Sequence, residues 1–302
     1  MKHIKLTLQY DGTDYSGWQI QQTEVRSEKS EVRTPKNIIT IQGILQEKIK
    51  KITGEDTKVI GAARTDAGVH ALMQVAAFKT QSNLEPQVFL RAINANIPHD
   101  IRVINAEECL ESFHPRYSAK NKIYSYVISP ANAFSPSPLP PPLEGGGGGR
   151  GNFHFPLSSS VYRNVSYSVF LRRYSWQVPY QLNCDLMKEA AECLIGTHDF
   201  SCFRASGCSS KNPVRTIFKI EIVEDSFVDF MNFKFNVPLI KISIQADAFL
   251  RHMVRNIVGT LVEIGRGKQP VSYTKEVLRL KDRRFSGPTA PALGLFLEEI
   301  VY

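Results

Sequence analysis

The chain is organised around the stretch GAARTDAGVHA, residues 61–71. Apolar segments typical of β-strands lie on either side of it, at 58–63 and 69–78. Gly68 favours a tight turn, because glycine adopts left-handed backbone conformations at little steric cost. The pattern therefore predicts a loop that displays Asp66. An aspartate in a turn commonly caps the backbone, so the loop by itself leaves a structural and a catalytic role open.

Outward from this loop, the N-terminal part of the chain alternates strand and helix patterns. Four apolar residues alternate with polar ones and predict a strand: Ile4, Leu6, Leu8 and Tyr10. Thr40 is the predicted N-cap of a helix over 41–52. Pro86 begins a second predicted helix, and 101–104 has the pattern of another strand. With the strands around the Asp66 loop, the order is strand, helix, strand, strand, helix, strand, which is that of a ferredoxin-like split βαβ unit.

The C-terminal part of the chain repeats a mixture of helices and strands. Asn183 predicts the start of a helix, and an amphipathic helix is predicted over 249–259. Three strands are predicted between these helices, at 214–223, 227–236 and 239–246. These patterns predict a second unit that is rich in antiparallel strands. The whole chain is therefore predicted to be of the α+β class.

Two segments interrupt these patterns. The first, at about 22–39, is polar and charged with few large apolar residues. The second, at about 131–172, contains a proline-rich run followed by five consecutive glycines. Neither composition can build a packed core. We therefore expect both to be disordered insertions and assign them no chemistry.

The composition favours a folded protein with a polyanionic partner. The chain has 37 Lys and Arg residues against 29 Asp and Glu residues, which gives a net charge of +8 and a pI near 9.2. Its five cysteines form no C-x-x-C pair and are expected to be reduced thiols. The sequence shows neither the apolar core of a signal peptide nor a membrane-spanning stretch, so a cytoplasmic location is expected.

Basic and aromatic residues cluster in two further segments. In 113–126, a basic linker leads into a predicted strand that carries Tyr124, as stacking on an unpaired base requires. In 249–259, Arg251 and Arg255 lie one helical turn apart and are suited to phosphate contacts. A core tyrosine and a solvent-exposed helix face explain the same patterns, so both interpretations stay open.

A series of short motifs runs through the chain in a fixed order. They are YDGT at 10–13, GWQ at 17–19, RTDAGVH at 64–70, FH at 113–114, YSY at 124–126, GTHDF at 196–200, FLRHMVRN at 249–256, AP at 290–291 and GL at 294–295. In this combination the chain resembles the tRNA pseudouridine synthase A family, over nearly its whole length apart from the two insertions. The RTDAGVH motif is highly specific, whereas the others are weak when met singly.

The resemblance implies isomerisation of uridine to pseudouridine in the tRNA anticodon arm, by a homodimer that uses no metal and no cofactor. Asp66 matches the family's nucleophile, Tyr124 the aromatic residue that contacts the target uracil, and Arg64 the arginine next to the catalytic carboxylate. Four further residues are candidate RNA contacts: Arg116, Arg251, His252 and Arg255. The implied fold consists of two ferredoxin-like domains, at 1–115 and 116–302, whose mostly antiparallel sheets adjoin and enclose the active cleft.

The sequence departs from the family pattern at three places and leaves two rival functions to weigh. Ala63 stands where the family often has glycine, and the two insertions lengthen loops.

A non-catalytic RNA-binding module would explain the positive charge but not the loop with Arg64 and Asp66. A metal-dependent nuclease needs several carboxylates around its metal, whereas the sequence gives Asp66 no nearby acidic companion. The sequence therefore favours the isomerase.

Overall fold

The computed structural model describes residues 1–21, 39–130, 169–208, 210–225, 228–230, 233–235 and 237–302. The insertions predicted at about 22–39 and 131–172 fall almost entirely between these ranges, so the expectation that they are disordered lies outside the described residues.

The N-terminal half contains the strands and helices in the order that the sequence predicts. They are β1 (Lys2–Tyr10), α1 (Ile41–Thr53), β2 (Ile60–Gly61), β3 (His70–Thr80), α2 (Pro86–Asn94) and β4 (Ile101–Glu108). The side chain of Thr40 caps α1 by accepting a hydrogen bond from the backbone of Gly43, which confirms the predicted N-cap. These strands lie in the order β4-β1-β3-β2, and every neighbouring pair is antiparallel.

The C-terminal half has eight strands and three α-helices in the described ranges. They are β5 (Asn121–Pro130), β6 (Trp176–Val178), α3 (Cys184–Glu192), β7 (Gly196–Asp199), β8 (Val214–Asp225), β9 (Val228–Phe230), β10 (Phe233–Phe235), β11 (Leu239–Ala246), α4 (Met253–Gly265), α5 (Tyr273–Leu280) and β12 (Leu295–Val301). The helix predicted from Phe249 begins only at Met253, because His252 has a left-handed backbone conformation that a helix cannot contain. Arg251 therefore precedes the helix that carries Arg255.

The two halves share one mixed but mostly antiparallel sheet of ten strands. Its main path runs β4-β1-β3-β12-β5-β11-β8-β7, with β2 added on β3 and β6 on β5. The halves join where β3 and β12 pair in parallel, with His70 opposite Phe296. The rings of these two residues stack at 4.7 Å, and Nε2 of His70 lies 3.1 Å from the carbonyl oxygen of Leu293. The join therefore lies directly after the Asp66 loop.

Helix α4 is buried on nearly all sides. Eleven of its thirteen residues are buried, and Arg255 is one of the two that are not. A Cβ atom at Gly259 would lie 1.7 Å from the carbonyl oxygen of Pro288, so only glycine allows this close approach. The buried amide of Asn256 donates to the carbonyl of Phe203 and accepts a hydrogen bond from Arg283. These contacts fix the position of the helix start.

In the described ranges, no helix combines the length and apolar character that crossing a bilayer demands. All five cysteines lie in these ranges, and none forms a disulfide.

Candidate active site

The Asp66 loop connects β2 to β3 and is held by backbone contacts with the segment 12–19. Gly68 has φ = +77°, which confirms the predicted left-handed turn. The backbone N–H of Trp18 donates to the carbonyl of Thr65 at 3.0 Å. A Cβ atom at Gly17 would lie only 2.5 Å from the same carbonyl oxygen. The side chain of Trp18 is buried, so the segment 12–19 holds the loop by packing as well as by hydrogen bonding.

Buried polar side chains fix the rest of the loop. The amide of Gln74 on β3 forms two hydrogen bonds with the backbone of Ala63, at 2.9 and 3.2 Å. The hydroxyl groups of Tyr10 and Thr65 lie 2.8 Å apart. Burial raises the pKa of Tyr10 to about 12, so its phenol stays protonated and available as a donor. The backbone before Asp66 is therefore held in a single conformation.

The carboxylate of Asp66 is 31% exposed and contacts two side chains from the other half of the molecule. Its Oδ2 atom lies 3.4 Å from Nε2 of His252 and 3.5 Å from Nη1 of Arg255. Both contacts fall on the same oxygen. Among the described residues these two side chains form the ion pairs of the carboxylate, which stays partly open to the cavity.

His252 reaches the carboxylate through an unusual backbone conformation. Its φ of +60° is rare for a residue other than glycine and is maintained at an energetic cost by the surrounding structure. Burial lowers the pKa of its imidazole, and the neighbouring arginines lower it further, while Asp66 acts in the opposite direction. The neutral ring is thereby favoured near pH 7, with its Nε2 atom facing the carboxylate of Asp66.

Arg255 is anchored as well as charged. Its side chain is 15% exposed, and its Nε donates to the carbonyl of Ala290 at 2.7 Å. The backbone N–H of Ala290 in turn donates to the carbonyl of Arg255. The ion pair with Asp66 therefore involves a guanidinium that is already oriented by the protein.

Tyr124 lies on β5 with its ring packed edge-on against Phe249, at a centroid distance of 5.0 Å. Burial raises the pKa of its phenol, and the nearby Tyr10 and Asp66 add to this effect. Tyr126, on the same face of the strand, is fully buried and donates to the carbonyl of Pro291. Of the two tyrosines, Tyr124 lines the cavity and Tyr126 belongs to the core.

A cavity of about 870 Å³ lies between the two halves, and every candidate site residue lines it. These residues are Arg64, Asp66, Arg116, Tyr124, Arg251, His252 and Arg255. Arg64 is exposed on the cavity wall, and within the described ranges Asp66 forms its ion pairs with His252 and Arg255 and not with Arg64. Proximity in the sequence therefore did not identify the cation that contacts the carboxylate.

Sequence reasoning missed Lys122 and Arg215, which also line the cavity. The spacing of Lys122 and Tyr124 could have indicated that Lys122 also faces the cavity, because residues two apart on a strand share a face. Nothing local marks Arg215, which reaches the cavity from β8 at the far side of the sheet.

The polar side chains of the GTHDF motif, and groups of side chains that could hold a metal ion, complete the description of the site. In GTHDF, Nε2 of His198 contacts the carbonyl of Ile195, and Asp199 accepts hydrogen bonds from the backbone and hydroxyl of Ser201. These hydrogen bonds give His198 and Asp199 structural roles in the motif. Within the described ranges, no group of three or more His, Cys, Asp or Glu side chains is arranged to hold a metal ion.

The chain is similar to known proteins over its whole length. The family model described as tRNA pseudouridine synthase matches residues 7–118 and 190–302. A protein named tRNA pseudouridine synthase A from Thermoanaerobacter sp. (strain X514) is 39% identical over 302 residues, and the match covers both chains completely. Its namesake from Clostridium acetobutylicum is 36% identical, again over both complete chains. The namesake from Myxococcus xanthus is 36% identical over all of this chain and 92% of its own. The chain therefore belongs to the tRNA pseudouridine synthase family.

Proposed function

We propose that this protein converts uridine to pseudouridine in the anticodon arm of tRNA. The observation that carries the proposal is the carboxylate of Asp66, held through Oδ2 by His252 and Arg255 in a cavity that Tyr124 also lines. Family membership supports the same reaction. A non-catalytic RNA-binding module would not need a carboxylate held between two basic side chains in a cavity.

The reaction rearranges one nucleotide without a net loss of atoms from the RNA. The N1–C1′ bond breaks, a C5–C1′ bond forms, the proton on C5 leaves, and N1 gains a proton. A carboxylate can start this sequence by attacking the ribose, by attacking the base or by removing a sugar proton. Each of these routes uses the carboxylate of Asp66, which His252 and Arg255 hold in place.

The target base must leave the stacked RNA to reach Asp66, and the cavity walls fit that requirement. The ring of Tyr124 provides an apolar surface for the uracil, and its protonated hydroxyl can hydrogen-bond to it. Four arginines along the cavity provide cations for the opened RNA: Arg64, Arg116, Arg251 and Arg255. The neutral imidazole of His252 adds a polar group to the same wall.

The proposal includes the architecture and assembly that the resemblance implies. Residues 1–115 and 116–302 form two ferredoxin-like domains with the active cleft between them. The strand orders β4-β1-β3-β2 and β12-β5-β11-β8 support this. Both read 4-1-3-2 when the four main strands of each half are numbered along the chain and the short strands β6, β7, β9 and β10 are left out. We also propose a cytoplasmic homodimer that needs no metal or cofactor. Light scattering on the purified protein tests the dimer, and activity in the presence of a chelator tests the metal.

The decisive experiment replaces Asp66 by Asn and measures tritium release from tRNA labelled at C5 of uridine. We expect wild-type protein to release label and D66N to release none above background, while tRNA binding changes by no more than about threefold. Asp56 is an exposed aspartate paired with Lys50 away from the cavity, so D56N is the matched control and should retain full activity. Release of label by D66N would refute the role of Asp66, and tRNA binding without release by the wild type would indicate a binding module.

A further inference from the structure

Lys122 is buried to a degree that is unusual for lysine. It is only 9% exposed, although lysine is seldom buried unless an opposite charge is next to it. Its Nζ donates to the carbonyl of Ala62 at 2.8 Å, in the segment that leads to Asp66. An ammonium group has three N–H donors, so this hydrogen bond satisfies one of them. Burial of a charge without a counter-ion is costly, and such a charge needs an explanation.

The surroundings of Lys122 contain a second cation instead of an anion. Burial and, after it, the Arg116 guanidinium lower the pKa of Lys122 to about 8. Within the described ranges no carboxylate forms an ion pair with Lys122, and the acidic residue that lines its cavity, Asp66, is paired with His252 and Arg255. The charge balance at this end of the cavity is therefore incomplete without a bound anion.

We propose that Lys122 and Arg116 bind a backbone phosphate of the RNA, namely that of the nucleotide whose base enters the cavity. The inference rests on the proposed function for the identity of the anion. Lys122 and Tyr124 are two positions apart on β5, so they share a face of the strand with Cα atoms roughly 6.6 Å apart. A uracil against Tyr124 places the phosphate of the same nucleotide within reach of Lys122.

This site makes RNA binding sensitive to pH. A phosphate next to the ammonium raises the pKa of Lys122 in the complex above its value of about 8 in the free protein. Binding therefore favours the protonated lysine, so affinity is highest below about pH 8 and declines as the pH rises through that value. The other titratable or charged groups around the cavity are Lys58, Arg64, Asp66, His114, Arg116, Tyr117, Tyr124, Cys208, Arg215, Arg251, His252 and Arg255.

The test compares tRNA binding by the wild type and by K122M over a series of salt concentrations and from about pH 7 to about pH 9. We expect K122M to weaken binding roughly tenfold, to reduce the slope of log K against log salt by about 0.7–0.9, and to abolish the decline above pH 8. The melting temperature reports separately on the structural role of Lys122, because removal of a buried charge raises it and loss of the hydrogen bond to Ala62 lowers it. Lys120 is exposed and outside the cavity, so K120M should retain the pH dependence of the wild type.

A second variant, K122R, keeps a positive charge that does not titrate in this range. It should retain the salt slope of the wild type and show no decline of affinity near pH 8. Either of two results would overturn the proposal. One is a decline of affinity near pH 8 that persists in K122R. The other is a K122M variant that loses thermal stability and kcat while its salt slope and pH dependence match those of the wild type. The latter result would mean that Lys122 only holds Ala62. tRNA binding is measured separately from tritium release. A wild-type protein without isomerase activity would therefore refute the proposed function, while the binding measurements on K122M and K122R would still test the phosphate site.

Discussion

The Asp66 loop and the start of α4 contribute to the same site, but different forces hold them in place. The loop, residues 62–69, is fixed by hydrogen bonds to its neighbours in the sheet, above all from Gln74. The start of α4, residues 252–255, is fixed by the packing of a helix that is buried on nearly all sides. The comparison shows that the position of Asp66 depends on hydrogen bonds to the backbone of its loop, whereas the position of its charged partners depends on the packing of a buried helix.

The largest effect should come from removing the cation that α4 brings to the carboxylate. Methionine at position 255 keeps most of the side-chain length but lacks the charge that lies 3.5 Å from Asp66. We expect kcat for pseudouridine formation to fall about 10²-fold in R255M, which is the usual cost of losing one electrostatic partner at a reacting centre. Tritium release under saturating tRNA measures this effect.

R64M is the matched control for that experiment. Arg64 lines the same cavity but is exposed and forms no ion pair with the residues that the structure describes. Its loss should weaken tRNA binding and leave kcat within about threefold of the wild type. Equal losses of kcat in R64M and R255M would show that the arginine next to Asp66 in the sequence also acts on the carboxylate.

A smaller effect, on stability, should come from breaking the hydrogen bonds of the loop. Leucine in place of Gln74 leaves the buried N–H and C=O groups of Ala63 without their partner, which should cost about 2–3 kcal/mol of unfolding free energy. Gln81 follows β3 directly and is exposed, so Q81L should change stability by less than about 0.5 kcal/mol. Chemical denaturation of both variants provides the measurement. Equal stability of Q74L and Q81L would contradict the view that Gln74 fixes the loop.

The same contrast explains how much of the fold and site could be predicted from the sequence. The caps, the turn at Gly68 and the order of elements in the N-terminal half depend on neighbouring residues, and their patterns are visible in the sequence. The start of α4 could not be predicted in this way, since FLRHMVRN has continuous helical periodicity and the left-handed conformation of His252 arises from tertiary contacts. For the same reason, the helix pattern left Arg255 open between a phosphate contact and a solvent-exposed face, whereas packing brings its guanidinium 3.5 Å from Asp66.

The buried polar residues of the site show the same limit. Lys122 stands in a strand pattern that gives no indication of its burial, because the covering segment is the Asp66 loop, some sixty residues earlier in the chain. His70 belongs to the RTDAGVH motif, yet its contacts with Phe296 and Leu293 join the two halves of the sheet. Residues of this kind are identified only when the contacts between distant segments are known.

The smallest expected effect concerns the pH dependence of stability at the start of α4. Because the pKa of His252 is lowered in the folded protein from its ordinary value of 6.5, the unfolded chain binds a proton more readily. Stability is therefore fully present above about pH 6.5 and declines as the pH falls towards the lower, folded-state pKa. The groups that face this imidazole are Asp66, which opposes the shift, and three arginines that promote it: Arg251, Arg255 and Arg283.

Asparagine at position 252 removes this titration and also suits the left-handed backbone better than histidine does. We therefore expect H252N to lose less thermal stability than the wild type between about pH 7.5 and about pH 5.5, as measured by its melting temperature at each pH. His99 is exposed and outside the cavity, so H99N should lose as much stability as the wild type. If H252N instead declined in parallel with H99N, the imidazole would not be held neutral against Asp66. The contact between α4 and the Asp66 loop would then depend on Arg255 alone.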